Sequence, residues 1–307
     1  MTRLRSADGQ VTVMAAVLMV FLVAMVAFVL DVGSWFRQQR ISQSTVDAAA
    51  LAGAQVLPND PGSATTLAST FANKNGGVLG ATITIGSKWN PNDMITVKQT
   101  KSATGFFSKV LGINTVSVHA KATAVAAIPV QTLGIAPITV NILHPQLSGA
   151  GCPCFNVPTT LPLGKTGAPG AFALLDLDYT DENGTVGAST LASWISQGYN
   201  NYLPLGVYFS DPGAKWNNSI IQNALISRYN SDLLFPVYDT LVGSGSNAEY
   251  HVIAWVGFHL QSVDASGTSG SLTGYFTRII WQGIVSQSGP SNPAIPDLGV
   301  RTVALID

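Results

Sequence analysis

Charge is scarce in this sequence. Lys, Arg, Asp and Glu make up 10% of its 307 residues, against about 25% in an average soluble domain. The balance is close to neutral, at -1, which excludes an electrostatic footprint for nucleic acid. Gly, Ser, Thr and Asn fill the polar positions instead, an uncharged coat found on exported and self-assembling proteins. Cysteine is nearly missing: only Cys152 and Cys154 occur, in Gly151-Cys152-Pro153-Cys154. Such a chain has no disulfide framework. A disulfide between the two, which an oxidising envelope permits despite the tight loop, stays open beside two free thiols. Zinc is the third option, but it wants about four ligands, and His144 is the nearest imidazole. Four histidines in all leave little room for a catalytic triad. Gly-x-Ser-x-Gly and His-Glu-x-x-His are both absent. Gly164-Lys165-Thr166 lacks the earlier glycine of a phosphate loop, since Thr159 stands there.

Charge is also lacking where its absence tells most. Val11 to Leu30 reads VTVMAAVLMVFLVAMVAFVL, 20 residues whose one polar side chain is Thr12. As a helix this run covers about 30 Å, the hydrocarbon thickness of a bilayer. A buried core helix would be shorter and carry a polar stripe. A cleavable signal peptide has an apolar region of about 7–15 residues and ends at small residues. Here the run ends in Asp31-Val32-Gly33-Ser34-Trp35-Phe36, and Trp35 and Phe36 suit a membrane–water interface, followed by Arg37 and Arg40. The reading is a retained anchor.

The helix is expected to continue to Leu57 without lipid. Arg37 to Leu57 has no proline and one glycine, and Ile41, Ala48 and Leu51 share a face. Pro58-Asn59-Asp60-Pro61-Gly62 terminates it. Val11 to Leu57 would then form a rod of roughly 70 Å. Within it lies Asp47-Ala48-Ala49-Ala50-Leu51-Ala52-Gly53-Ala54, with small residues at i, i+4. That face lets another element approach closely, either a partner or the protein's own domain.

Beyond the rod, Pro61 to Gly77 reads as a helix with Ala64, Leu67, Ala68 and Phe71 on one face. Ala81 to Ser87 and Met94 to Gln99 alternate as a hairpin around Trp89-Asn90-Pro91-Asn92-Asp93. Phe106 to Gly112 reads as a short helix, and Thr115 to Val125 as a third strand. A boundary falls at 128/129. After it prolines crowd, and 147–170 is expected to hold little regular structure. Leu133–Val140, Phe172–Leu177, Val207–Phe209 and Leu233–Tyr238 read as strands. Ala188–Tyr199 and Lys215–Tyr229 read as helices, and Tyr250–Val263 with Leu272–Ser286 as an antiparallel pair. The expected fold class is one transmembrane helix extended into a long helix, followed by two α+β domains with antiparallel sheets. The divisions are a tail 1–10, a span 11–30, an extension 31–57, a small domain 58–128 and a larger one 129–307.

The one dense acidic stretch is Asp176-Leu177-Asp178-Tyr179-Thr180-Asp181-Glu182-Asn183-Gly184. Asp176, Asp178, Asp181 and Glu182 are calcium candidates, although the spacing is not that of an EF-hand. The plainer reading is a strand end and a solvated Asn-Gly turn. His251 and His259 share strand parity but lie roughly 26 Å apart along it, too far for one metal.

Several of these residues together resemble the tight-adherence (Tad, Flp-pilus) assembly proteins of the TadE/TadG-like type, and TadG-like proteins most. They are Gly9-Gln10-Val11, Leu30-Asp31-Val32-Gly33, Arg37, Arg40, Ile41 and Asp47 to Ala54. Phe106-Phe107 before Leu111-Gly112 extends the likeness. The exported half of TadG-related proteins is similar at Leu174 to Asp178, Trp194-Ile195, Gly198-Tyr199, Phe235 to Asp239 and Ile253 to Leu260. The fifth residue after Gly9 is Met14, where prepilin-peptidase substrates carry glutamate. The family offers no agreed catalytic residues. The resemblance implies a non-enzymatic bacterial envelope protein anchored in lipid through 11–30, with pilus or secretion proteins as partners and no cofactor. Arginines are equal on the two sides of the span, Arg3 and Arg5 against Arg37 and Arg40. The small size of the leading tail therefore assigns it to the cytoplasm and the bulk outside. An adhesin or ligand-binding module using the acidic stretch is the alternative, and a membrane-tethered hydrolase the next.

Overall fold

The computed structural model describes residues 8–76, 82–164, 168–178, 186–211, 215–264, 270–285 and 295–306. Two compact units emerge: Met1–Val125 with Ala304–Asp307, and Ala126–Val303. A long N-terminal helix opens the first, and β-rich structure with a few helices follows.

In the first unit, α1 (Asp8–Ala54) is one unbroken helix of 47 residues, about 70 Å long at the usual rise. It stops at Ala54, ahead of the expected Leu57, and turns fill 55–59. α2 (Pro61–Lys74) follows at once. The Asp60 carboxylate accepts the Ser63 N–H at 2.8 Å as N-cap, and Pro61 occupies a first-turn position that needs no N–H. α2 buries Ala64, Ala68 and Ala72 and packs on α1. Phe71, expected inward, is exposed. β1 (Thr82–Gly86), β2 (Met94–Thr104) and β3 (Thr115–Ala127) form an antiparallel meander. The β1–β2 turn closes around Asp93, whose buried carboxylate accepts the N–H groups of Lys88, Trp89 and Asn90 at 2.6, 2.9 and 2.8 Å. Gly77 and Ala81, expected ends of two elements, lie outside the described residues.

The buried face of α1's second half is not the one that apolar spacing suggests. Ile41 is exposed, and Ala48 and Leu51 are half-buried. Ser42, Thr45, Val46, Ala49, Ala50 and Gly53 point inward instead, at i, i+3, i+4 intervals. Hydrogen bonding admits the hydroxyls: Thr45 Oγ1 donates to Ile41 O at 2.8 Å, and is 2.6 Å from Asn75 O.

The second unit holds β4 (Gln131–Thr132), β5 (Ile138–Asn141), α3 (Pro145–Ser148), β6 (Pro158–Pro162), β7 (Phe172–Leu175), α4 (Ala188–Gln197), β8 (Leu203–Pro204) and β9 (Gly206–Asp211). It continues through α5 (Ser219–Ile226), β10 (Ser231–Val242), β11 (Glu249–Asp264), β12 (Ser271–Thr277), β13 (Ile279–Ile280), β14 (Gly283–Ile284) and the start of β15 (Val300–Ile306), whose end counts with the first unit. The main sheet runs β10-β5-β7-β9-β11-β12-β6, and β10 also pairs with β11, so part of it closes on itself. Pairing is antiparallel except β5–β10 and the short β13–β15. One core gathers Leu191 and Ile195 of α4, Ile221 and Leu225 of α5, and Phe235, Val256 and Phe258 of the sheet. Another holds Leu175, Tyr208, Leu234, Tyr238, Tyr250 and Trp255. Four expectations change. The run Leu272–Ser286 is three strands rather than one, and of them only β12 pairs with β11. β6 lies inside 147–170, where no strand was expected. Of the single strand expected over Leu133–Val140 only the end is strand, as β5, while β4 stops at Thr132, before it. α5 is shorter than Lys215–Tyr229, because Asn218 caps it by accepting the Ile220 N–H at 2.9 Å.

Candidate functional site

α1 changes character at one residue. From Val11 to Leu30 nearly every side chain is exposed and apolar. Among the described residues this is the helix long and apolar enough to cross a membrane, and that part of it is not covered by the protein. Asp31 comes next, and it is buried, 2% exposed.

A buried carboxylate needs hydrogen bonds, and the loop after β2 supplies them. Phe106 N–H donates to Oδ1 at 2.7 Å, and Ser108 N–H to Oδ2 at 2.5 Å. Phe107 N–H is shared between the two oxygens at 3.2 and 3.0 Å. Ser108 begins a one-turn 3-10 helix, Ser108–Leu111, whose first N–H groups have no partner of their own. Asp31 therefore caps this turn from another element. The turn itself is fastened by Ser108 Oγ donating to Ile113 O at 3.0 Å, and it ends at Gly112. Gly105 allows the fit: a Cβ there would lie 1.8 Å from Ser108 Oγ and 3.4 Å from the Asp31 carboxylate.

The other end of the buried half is fastened by packing. A Cβ on Gly53 would lie 2.5 Å from Ile95 Cδ1, 2.8 Å from Ala64 O and 3.2 Å from the Ala68 Cβ. Ala49, Ala50, Ala52 and Ala54 are buried beside it; Asp47, Ala48 and Leu51 are half-buried. The small-residue stripe thus lies against α2 and β2 of its own unit. Midway, Gln43 Nε2 donates to Lys121 O at 2.9 Å and to Asp47 Oδ1 at 2.7 Å. Between Asp31 and Gly53 the helix advances about 33 Å. From Ile95 to Phe106 an extended strand advances about 36 Å. β2 therefore runs back along α1, with its end loop beside the end of the apolar run.

Residues 9–56 match the family model for Flp pilus-assembly, TadE/G-like proteins. This segment is similar to a Tad domain. No curated protein and no solved structure matches the chain. The Tad match covers the apolar run, Asp31 and the small-residue stripe, but not the loop that Asp31 holds. The Tad family is one of structural and assembly proteins.

The second unit, outside the Tad match, holds the other candidates. Asp176 is buried just after β7, its N–H donating to Phe209 O at 2.9 Å and its Oδ1 accepting the Asp178 N–H at 2.9 Å. Burial pushes its carboxyl up to about 6, the Asp178 N–H opposes this, and the charges of Asp211 and Asp178 add to it. Asp211 is buried too and likewise raised by burial, with Lys215 opposing. Lys215 Nζ bonds Asp211 Oδ2 at 2.9 Å and also reaches Val186 O. Asp181 and Glu182, like Lys165 and Thr166, lie outside the described residues. Among the described residues no three of His, Cys, Asp and Glu gather as a metal would require. Cys152 and Cys154 are joined by a disulfide, with Cα atoms 4.5 Å apart.

Both histidines of β11 meet an aspartate on β10. His251 Nδ1 is 2.8 Å from Asp239 Oδ1, and His259 Nδ1 is 2.7 Å from Asp232 Oδ1. These pairs were not visible in sequence, because the β10–β11 register sets them: Asp232 faces His259 directly, and a bulge brings Asp239 to His251. His259 also stacks on Tyr275. The Asp31 clamp escaped sequence reading as well. The signal available was a carboxylate at the end of an apolar run with no basic residue within one helical turn on either side.

Proposed function

We propose that this protein is a membrane-anchored structural or assembly component of a Tad-type (Flp) pilus or secretion system. Its leading tail lies in the cytoplasm and its two folded units lie outside. One observation carries this: the Tad match falls on a helix whose first half is bare and apolar while its second half is built into a folded unit. The first half then serves as the anchor in lipid. The second half is the frame on which the first unit folds, and the second unit meets pilus or envelope partners.

Cross-linking in native membranes followed by purification tests this reading. Recovery with other components of a pilus or secretion machine is the expected result; recovery with none of them refutes it. Orientation is tested separately with cysteine labels at Thr2 and Thr66. A membrane-impermeant reagent applied to intact spheroplasts should reach Thr66→Cys and spare Thr2→Cys.

A further inference from the structure

The loop that Asp31 holds has an unusual surface for a hairpin end, where polar turn residues are the rule. Phe106 is 69% exposed and Val110 is 88% exposed, and Phe107 and Ile113 are exposed beside them. Lys109 lies exposed among these apolar side chains. A cluster of large apolar groups in water is costly and marks a contact. Its level along α1 is fixed, since three backbone N–H groups of the loop bind the residue directly after Leu30.

We propose that this loop is a second membrane contact: Phe106, Phe107, Val110 and Ile113 enter the interfacial layer of the bilayer beside α1. The proposal rests on α1 spanning that bilayer. Lipid is the occupant that the surroundings favour. The patch is continuous in level with the bare apolar surface that ends at Leu30, and Phe36 is exposed on α1 less than two turns beyond. Amphipathic elements of this kind sink about 5–10 Å into the headgroup and acyl boundary. Lys109 can direct its ammonium to lipid phosphates while its stem lies with the apolar groups. A lone span tilts freely within the bilayer, and anchors at the interface restrict that tilt. The Asp31 clamp makes the loop and α1 move as one, so the loop would hold the first unit at a set angle to the membrane.

The test uses the full chain in phosphatidylcholine–phosphatidylglycerol vesicles, with an environment-sensitive fluorophore on single introduced cysteines. The sites are Val110→Cys and Ile113→Cys in the loop, Phe21→Cys in the span and Thr66→Cys on α2. The expected result is a blue-shifted emission at 110, 113 and 21 that brominated acyl chains quench, with neither effect at 66. Adding Asp31→Ala should abolish the quenching at 110 and leave that at 21. Quenching at 21 with water-like spectra at both 110 and 113 overturns the loop contact while leaving the anchor intact. Absence of quenching at 21 overturns the anchor, and the loop contact with it. A blue shift at 110 and 113 that bromination does not quench, and that grows with protein density, assigns the patch to a second copy and overturns lipid as its occupant.

Discussion

The two halves of α1 are one continuous helix held by opposite means. Val11 to Leu30 presents large side chains outward and buries almost nothing. From Ser42 to Ala54 the inward residues are mostly small: serine, threonine, alanine and glycine, with Val46 the one larger side chain among them. Large groups suit a helix that meets only lipid chains. Small ones suit a helix that must meet a second helix and a strand at backbone distance. The same secondary structure is thus written in two vocabularies, set by what lies alongside.

The largest expected effect breaks this contrast by charge. Leu18→Arg with Leu22→Arg places two cations at the middle of the span, each costing about 2.5–3.5 kcal/mol of insertion. The protein should then be lost from carbonate-washed membranes. Gln39→Arg with Ser44→Arg, on exposed positions of the second half, should leave retention unchanged. Equal loss from both pairs would erase the distinction between the halves. Next in size is a pair of glycines. Gly53→Val drives a side chain against Ile95 and the Ala64 carbonyl, a kind of overpacking that costs about 1–3 kcal/mol. Gly33→Val meets nothing within 4 Å and should leave the melting temperature in detergent where it was. A smaller shift is expected at the junction itself. Asp31→Ala leaves the N–H groups of the loop unpaired, so melting should fall; Asp31→Asn keeps one oxygen acceptor and should fall less.

The last test sharpens the contrast with a carboxylate of the second unit. Asp31 accepts from three N–H groups, whereas Asp176 is buried with fewer donors, and its folded carboxyl titrates near 6 rather than 3.8. The folded state therefore binds this proton more tightly than the unfolded chain. Its contribution to stability declines as pH rises from 3.8 to about 6, and is level above that. Asp176→Asn should flatten that slope in denaturant titrations of the full chain, with no change in slope above the window. An unchanged slope below pH 6 would show that Asp176 is not the group responsible.

Much of the scaffold was legible in the residues, for reasons that the failures make clear. The apolar run, the breaker cluster after Leu57 and the β-branched alternation of β1, β2 and β3 are local signals, and each marked its element. β6 was hidden because Pro158 and Pro162 bound it, and proline argues against a central strand. It lies at the sheet edge, paired only with β12, where a missing N–H is tolerated. The apolar alternation of β2 fades after Val97, where Lys98 and Lys101 enter, so the part beyond Gln99 carries no local mark. Both are cross-strand neighbours of β3 residues, and Lys101 Nζ donates to Gly76 O at 2.8 Å. The inward face of α1 is hidden in sequence because its threonine and serine are polar by type and become buried only through partners far along the chain. The Asp31 clamp joins residues 75 to 77 positions apart. The His–Asp pairs depend on strand register, which spacing within one strand does not reveal.

The strand β2 laid against α1 works like a vernier. The helix climbs about half as far per residue as the strand does. With the pairing pinned at Gly53–Ile95 and again at Asp31–Phe106, a change of length in one partner has to be answered in the other at about two helical residues for each one in the strand. Insertions tolerated elsewhere in the first unit should be rejected here unless they arrive together in that ratio, and lineages that lengthened one arm would be expected to carry the matching extension in the other.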